Sequence, residues 1–377
     1  MDEKLIKEAE KGDSNAQFQL GLFYQRGLQR DMDKALKWYK LAADQGHSAA
    51  LEILGMLYLS GSGIPKDATK GMRCLEKASE NGNLSSNLTL GEIYSNGLFD
   101  IKKDNVLARK WLLKIAEREN ADAQYQLGLL ALNENDVDGA VSWYVKSADN
   151  GCALASFSLG YLFFQGTRVQ KDVDKALQYY THSADKGNVA AMYNLALMHL
   201  NGDHGKKDIQ KAIEWLSRAS NEGYILADLT LGGLYQKGRE GDLKPNYAKG
   251  REYFEKAALK NDPAALLLLG KIFKEGEGID KDLSKAFTYF VQSAELGNPL
   301  AQMLVANALI LGEGITKNPS LAYSWLMIAK CYSEYSYPEI HAEVLEDISK
   351  LDEILTPEKK GEALYFAQNK MKLKYRV

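Results

Sequence analysis

The sequence of 377 residues contains little cysteine, little proline and no large charge of one sign. The three cysteines, Cys74, Cys152 and Cys331, have no CxxC spacing, so we interpret them as buried or incidental thiols in a reducing compartment. Seven prolines beside 32 glycines argue against a disordered proline-rich chain and favour helices separated by glycine turns. With 47 Lys and Arg against 50 Asp and Glu, the net charge of −3 offers no surplus to neutralise a phosphate backbone. Nucleic acid is therefore not the expected partner.

Long hydrophobic runs are also missing. The most apolar stretch, residues 264–269, is far shorter than the roughly 20 residues that a membrane-spanning helix needs. The opening MDEKLIKEAEKGD carries carboxylates where a secretory signal has a basic start and an apolar run. These features predict a soluble, cytoplasmic protein without membrane insertion. Export by a specialised secretion system, which needs no such signal, is the alternative.

The sequence does contain an internal repeat. An apolar residue, usually followed by glycine, recurs at positions 20, 54, 90, 127, 159, 195, 231, 269 and 305. The clearest copies are LGLFYQRG from Leu20, LGMLYLSG from Leu54, LGEIYSNG from Leu90, LGYLFFQG from Leu159, LGGLYQKG from Leu231 and LGKIFKEG from Leu269. Nine units therefore cover most of the chain.

Each unit contains two helical patterns. In the first half, small, leucine and aromatic residues recur four residues apart, as in Ala16, Leu20 and Tyr24, which places them on one side of a helix. In the second half, a small residue precedes an aromatic by three positions, as in KALKWYKLAA from Lys34. We therefore predict an antiparallel helix pair per unit. Glycines such as Gly27 and Gly61 are predicted to end the first helix in left-handed caps, and the fourth unit lacks this glycine at residues 133–138.

This pattern resembles the Sel-one-like repeat (SLR) family, relatives of the tetratricopeptide repeat with units of roughly 36 residues. The resemblance covers about residues 5 to 330. It implies an all-α fold, a right-handed α/α solenoid of about nine helix pairs whose first helices line a concave face. It also implies that the chain serves as a scaffold or adaptor for other proteins.

The repeat pattern ends near Lys330, so we predict a solenoid over residues 1–330 and a C-terminal region over 331–377. CYSEYSYPEIH is interpreted as a non-repetitive, tyrosine-rich linker, followed by helices starting at Pro338 and Thr356-Pro357. These helices are predicted to cap the solenoid. The alternative is a basic partner-docking tail, carried by Lys359, Lys360, Lys370, Lys372 and Lys374.

Partner-binding residues are predicted by counting along the first helix from the residue that opens each unit, for example position 151 in the fifth. Offsets six and ten lie off the predicted packing face and, by the family geometry, point into the concave groove. They form an aromatic strip in the middle units, with Phe18 at the same offset in the first unit and Asn194 as a possible amide donor to a peptide backbone. The predicted site comprises Tyr125, Phe157, Tyr161, Phe164, Tyr193, Asn194 and Phe18. The alternative is that these rings pack between neighbouring first helices and are half-buried.

No catalytic or metal-binding pattern is present. The sequence contains no HExxH, GxSxG or GxxxxGK[ST] motif. His199 and His204, with Asn201 and Asp203, suggest at most a weak metal site, but His199 occupies an aromatic core position of its unit. We therefore predict no enzymatic activity, no cofactor and no metal.

The expected function is a non-enzymatic adaptor that holds one or more proteins, as an extended peptide or a helix, in the concave groove. The alternative is a specific inhibitor, such as an immunity protein or an effector that occludes one enzyme or toxin. An inhibitor would show one dominant tight ligand, whereas an adaptor would show several ligands of modest affinity.

Overall fold

The computed structural model describes residues 3–27, 30–239, 243–334 and 336–374, with side chains up to Met371 in the last helix. These residues form α-helices, one short 3₁₀ helix at Leu98–Asp100 and no β-strand. The helices are α1 (Glu3–Glu10), α2 (Ser14–Arg26), α3 (Met32–Asp44), α4 (Ser48–Ser60), α5 (Ala68–Glu80), α6 (Leu84–Asn96), α7 (Asn105–Ala116), α8 (Ala121–Asn133), α9 (Val137–Asp149), α10 (Ala153–Gln165), α11 (Val173–Asp185), α12 (Val189–Asn201), α13 (Ile209–Asn221), α14 (Ile225–Lys237), α15 (Tyr247–Ala258), α16 (Pro263–Glu275), α17 (Leu283–Glu295), α18 (Pro299–Leu311), α19 (Pro319–Ser333), α20 (Pro338–Ile354) and α21 (Pro357–Lys374).

Helices α2 to α19 form the nine predicted pairs. The leading apolar position of each unit is buried in all nine, with at most 3 % of the side chain exposed at Leu20, Leu54, Leu90, Leu127, Leu159, Leu195, Leu231, Leu269 and Val305. The glycine beside this position allows close helix approach, because a Cβ on Gly160 would lie 2.7 Å from Cδ1 of Tyr180. The all-α solenoid of helix-pair repeats is confirmed.

In each of the nine pairs, the second helix is preceded by an Asp or Asn. Its side-chain oxygen accepts a hydrogen bond from a backbone N–H of the first turn. Such caps satisfy donors that the helix itself leaves unpaired. The capping residues are Asp31, Asp67, Asp104, Asp136, Asp172, Asp208, Asn246, Asp282 and Asn318. The second helix therefore starts at a fixed residue even where the preceding loop changes length.

The corners of the pairs follow the glycine prediction with two exceptions. Gly61 ends α4 at φ 73° and ψ 19°, in the left-handed region. The prediction is wrong for Gly27, which ends α2 in an extended conformation at φ −72° and ψ 174°. It is also wrong for Gly238, which ends α14 at φ 65° and ψ −174°, outside the left-handed helical region. In the fourth repeat Asn135 adopts φ 64° in place of the missing glycine. Asparagine tolerates this region better than most residues do, which explains how the shortened loop still turns.

The C-terminal region differs from the predicted linker. Helix α19 continues to Ser333, so the first residues of CYSEYSYPEIH are helical, and Tyr335 lies outside the described residues. Helices α20 and α21 begin at Pro338 and Pro357 as predicted. They bury apolar residues such as Val344 and Ala363 in one cluster with α19. The side chains of Lys372 and Lys374 lie outside the described part of the chain.

The chain packs as two compact units, Met1–Ala191 and Met192–Val377. From here on they are called the first unit and the second unit, and a single helix pair is called a repeat. The first contains α1 to α11, and the second contains α13 to α21 and most of α12. The predicted division at residue 330 stays a prediction. In the described ranges, each helix is too short or too polar to cross a lipid bilayer.

Candidate protein-binding surface

The offset-six rings of the first unit are anchored against the second helix of their own pair. The ring of Tyr125 lies 5.6 Å from that of Tyr144, and the ring of Phe157 lies 5.7 Å from that of Tyr180. Both anchored rings are half-buried. They therefore contribute to the helix pair and still present part of their surface to solvent.

Phe18 occupies the same offset in the first repeat and has two ring neighbours. It lies 6.0 Å from Tyr39 and stacks on His47 at 4.6 Å with an interplanar angle of 24°. His47 is the residue before α4, and its Nδ1 accepts a hydrogen bond from the backbone N–H of Ala50. The ring of Phe18 therefore bridges its own pair and the start of the next.

Tyr161 is the most accessible ring of the predicted strip in the first unit. It lies on α10 with 51 % of its surface exposed. Phe164, three residues later, is half-buried and has Lys171 Nζ 5.4 Å from its ring centroid. On α10, the predicted strip thus has one exposed ring, Tyr161, beside two half-buried rings that contact other side chains, Phe157 and Phe164.

Leu154 belongs to the same surface and was missed by the sequence prediction. It is 52 % exposed and lies seven residues before Tyr161, so both side chains project from the same face of α10. Leu154 is at offset three of its repeat, and the seven-residue spacing from there to offset ten is the signal in the sequence that identifies it. An exposed leucine beside an exposed tyrosine makes α10 the most apolar open face of the predicted strip in the first unit.

Tyr193 and Asn194 belong to the second unit. The half-buried ring of Tyr193 lies 5.4 Å from Tyr224, and its hydroxyl lies 3.4 Å from the Thr230 hydroxyl. Burial raises the pKa of the Tyr224 phenol, so this hydroxyl stays neutral in ordinary buffers. Asn194 is half-buried.

Polar residues connect neighbouring first helices. Glu52 on α4 accepts hydrogen bonds from Asn83 Nδ2 at 3.0 Å and from the Ser85 hydroxyl at 2.6 Å. Gln126 on α8 donates to Glu92 on α6 across 3.5 Å, and burial raises the pKa of the Glu92 carboxyl. These hydrogen bonds join α4 to the start of α6, and α6 to α8, along the row of first helices.

The histidine turn has the character of packed structure. His199 is 5 % exposed and its ring meets that of His204 edge-on at 4.6 Å. Burial lowers the pKa of His199, and the nearby His204 and Lys211 charges lower it further. Within the described ranges, no group of three or more His, Cys, Asp or Glu side chains is placed to hold a metal ion.

Comparison with known proteins reveals what the repeats are similar to. The family model described as Sel1 repeat matches residues 14–47, 48–83, 86–120, 121–152, 153–188, 189–224, 228–262, 263–298 and 299–329. The crystal structure of a Sel1 repeat protein from Oxalobacter formigenes is 27 % identical, with a TM-score of 0.62 over 81 % of this chain and 89 % of that one.

Two curated relatives match over shorter segments. The ERAD-associated E3 ubiquitin-protein ligase component HRD3A of Arabidopsis thaliana is 46 % identical over 59 residues, which is 15 % of this chain and 9 % of that protein. Chitin synthase regulatory factor 3 of Schizosaccharomyces pombe is 28 % identical over 167 residues, 40 % of this chain and 18 % of that protein. The chain thus spans less than a fifth of either relative.

Proposed function

The chain belongs to the Sel1 repeat family, and from this premise we propose that it is a non-enzymatic adaptor that binds other proteins through the first helices of its repeats. The curated relatives support this proposal, because one is named a ligase component and the other a regulatory factor. Such names describe proteins that act by holding or controlling other proteins.

The observation that carries the proposal is the exposed apolar face of α10. Leu154 and Tyr161 expose about half of their surfaces on one side of the helix, beside the held ring of Phe157. Large apolar and aromatic side chains that remain exposed on a folded surface mark protein-interaction sites more often than chance positions do. We place the centre of the binding surface on α10.

The rigidity of this surface favours binding. Phe157 is already packed against Tyr180, and Phe164 has the Lys171 ammonium group over its ring. Side chains that are ordered before binding lose little conformational freedom when a partner arrives, so more of the contact energy becomes affinity. An extended peptide or an amphipathic helix of the partner fits such a preformed row of helices.

A photo-crosslinking experiment tests the proposal. A benzoyl-phenylalanine residue replaces Tyr161 in one variant and Tyr365 in a control variant, since Tyr365 on α21 is also widely exposed, at 69 %. We expect partner proteins to be captured from Tyr161 and not from Tyr365. Equal capture from both sites would contradict the placement on α10.

The captured partner, once purified, allows a quantitative test. The double variant Leu154→Ala with Tyr161→Ala is expected to weaken calorimetric binding by about 2 kcal/mol, the scale of an interface hot spot. Its melting temperature should stay unchanged because both side chains are exposed. Unchanged affinity would contradict the proposal, and a single tight ligand in place of several modest ones would favour the inhibitor.

A further inference from the structure

One position of the second helix carries a large aromatic ring in eight of the nine repeats. It lies three residues after the small residue of the pattern in the second half of each repeat, as Trp38 follows Ala35. The ring residues are Trp38, Trp111, Trp143, Tyr179, Trp215, Tyr253, Tyr289 and Trp325. The second repeat has Cys74 there, three residues after Gly71 as Trp38 is three after Ala35. The second repeat therefore lacks a ring that the others have.

In other repeats this ring lies between its own first helix and the helix before it. Trp143, for example, packs against a cluster containing Ala116 of α7 and Leu127 of α8. In the second repeat a cavity of about 410 Å³ lies at this place, here called the Cys74 cavity, within the range of about 300–1,000 Å³ typical of ligand sites. Cavities of about 330 Å³ lie at the corresponding places of the fourth and ninth repeats, but there Trp143 and Trp325 form part of the lining. The lining of the Cys74 cavity includes Lys40, Asp44, Tyr58, Arg73, Cys74 and Lys77.

Tyr58 supplies a stacking surface in the Cys74 cavity. At the same offset in three other repeats, an aromatic residue of the first helix stacks on the ring of the second helix. These pairs are Phe163 with Tyr179, Tyr235 with Tyr253 and Phe273 with Tyr289, with ring centroids 5.6 to 5.9 Å apart and interplanar angles of at most 14°. Tyr58 lines a cavity at the place where its stacking partner would lie.

Lys77 supplies a cation for the opposite side. The residue three positions after the ring places its charge over the ring in three other repeats. The distances to the ring centroid are 3.9 Å for Lys114 over Trp111, 4.5 Å for Lys146 over Trp143 and 4.3 Å for Arg218 over Trp215. Lys77 holds this position beside Cys74, whose side chain has no ring to offer. The cation–π partner of Lys77 is therefore missing.

The rim of the Cys74 cavity is positively charged. Lys70 pairs with Asp67 at 3.1 Å, but Lys40, Arg73 and Lys77 form no salt bridge with any residue in the described ranges. Against these three cations stands one carboxylate, Asp44, so the rim carries a charge of +3 − 1 = +2 in a chain whose net charge is −3. This local excess favours an anionic ligand.

We propose that the Cys74 cavity binds an aromatic side chain from an acidic segment of a partner protein. The ring occupies the space that Trp or Tyr fills in the other repeats, stacks on Tyr58 and lies under Lys77. Carboxylates that flank the ring in the partner pair with Lys40 and Arg73. This site is separate from the surface on α10 and does not depend on it.

The direct test uses synthetic peptides and the full chain. The probe is a blocked heptapeptide with a central tryptophan between three Asp or Glu residues on each side, titrated calorimetrically at low salt. The comparison peptides replace the tryptophan with alanine, or all acids with lysine. We expect each comparison peptide to bind about tenfold more weakly or worse. Equal binding of the alanine peptide would overturn the proposal, and so would an absence of binding by the probe.

The substitution Cys74→Trp restores the ring of the other repeats and should close the cavity. We expect it to weaken probe binding by about tenfold or more and to leave the melting temperature equal or higher, since it fills a cavity. Cys74→Ser keeps the cavity open and should bind the probe as the parent chain does. Full binding by Cys74→Trp would show that the ring does not enter this cavity.

A pair of exposed cations provides a test that cannot fail through misfolding of the core. Arg73→Gln with Lys77→Gln should weaken probe binding by about tenfold. The matched control is Lys37→Gln with Lys110→Gln, which removes the same charge from exposed positions next to Trp38 and Trp111. Equal losses in both double variants would mean that binding reflects net charge alone, which overturns the proposal. The variant Leu154→Ala with Tyr161→Ala should bind the probe normally whether or not the surface on α10 has a partner.

Discussion

At the scale of single residues, α10 carries two leucines in opposite environments. Leu159 is fully buried in a cluster with Tyr144 and Leu162, whereas Leu154 is 52 % exposed. Leu159→Ala should therefore lower the free energy of unfolding by about 2 to 5 kcal/mol, through lost burial and a residual cavity. Leu154→Ala is the matched control and should change it by less than about 0.5 kcal/mol. Urea denaturation measures both, and similar midpoints would show that the assigned repeat register is wrong.

His199 makes stability depend on pH. Its folded-state pKa is lowered from 6.5, chiefly by burial, so the unfolded chain binds a proton more readily than the folded chain. Stability from this residue is therefore present above pH 6.5 and is lost as the pH falls from there toward the lower folded pKa. We expect His199→Phe to melt with a weaker pH dependence across this window.

The phenylalanine in that test suits the site, because six of the nine repeats have Tyr or Phe at this offset: Tyr24, Tyr58, Tyr94, Phe163, Tyr235 and Phe273. Melting curves of the parent chain and the variant, recorded between neutral pH and about pH 5, compare the two slopes. Parallel slopes would mean that other groups account for the acid sensitivity.

The sequence allowed the buried positions to be predicted, but not the exposure of the binding residues. Leu159 and its equivalents recur with helical spacing, so their burial follows from periodicity alone. Whether Phe157 is open or half-buried depends on how near Tyr180 lies, a distance between two helices that no single-helix pattern contains. The same holds for Cys74, since an absent ring becomes a cavity only if the neighbouring helices keep their spacing.

At the scale of helices, the Asp and Asn caps account for where the second helices begin. Asp282 accepts a hydrogen bond from the backbone N–H of Lys285 at 2.9 Å. Asp282→Ala should cost about 1 kcal/mol of stability, because a first-turn donor loses its partner. Asp282→Ser should recover most of it. Asp280→Ala, at an exposed loop position two residues earlier, is the control for loss of charge, and an equal loss from it in chemical denaturation would argue against capping.

Helix ends show where local sequence signals stop being sufficient. Gly61 and the prolines that begin α20 and α21 specify their corners through their own backbone preferences. Gly27 does not, since glycine permits a left-handed cap without requiring one. Helix α19 continues past Lys330 because Tyr332 packs against the cluster shared with the last helices. That tertiary contact leaves no repeat signature in the sequence.

At the scale of the whole molecule, each repeat should be stabilised mainly by the repeats next to it. In the first unit, the helices make most of their contacts with the helices next to them in sequence. Damage from Leu159→Ala should therefore remain near α9, α10 and α11. Hydrogen exchange monitored by mass spectrometry should show faster exchange there and little change in α2 and α3. Uniformly faster exchange throughout the first unit would instead indicate all-or-none unfolding.

The predominance of contacts between helices adjacent in sequence also has a mechanical consequence in the first unit. A force applied between residues 14 and 188 loads a row of helix pairs, and in the described part of this row most contacts join helices adjacent in sequence. Under load, one pair can detach while the others hold. Each detached pair of 36 residues, such as 153–188, releases about 120 Å of extended chain. Under tension, the chain that carries a bound partner would then lengthen stepwise, by one repeat at a time.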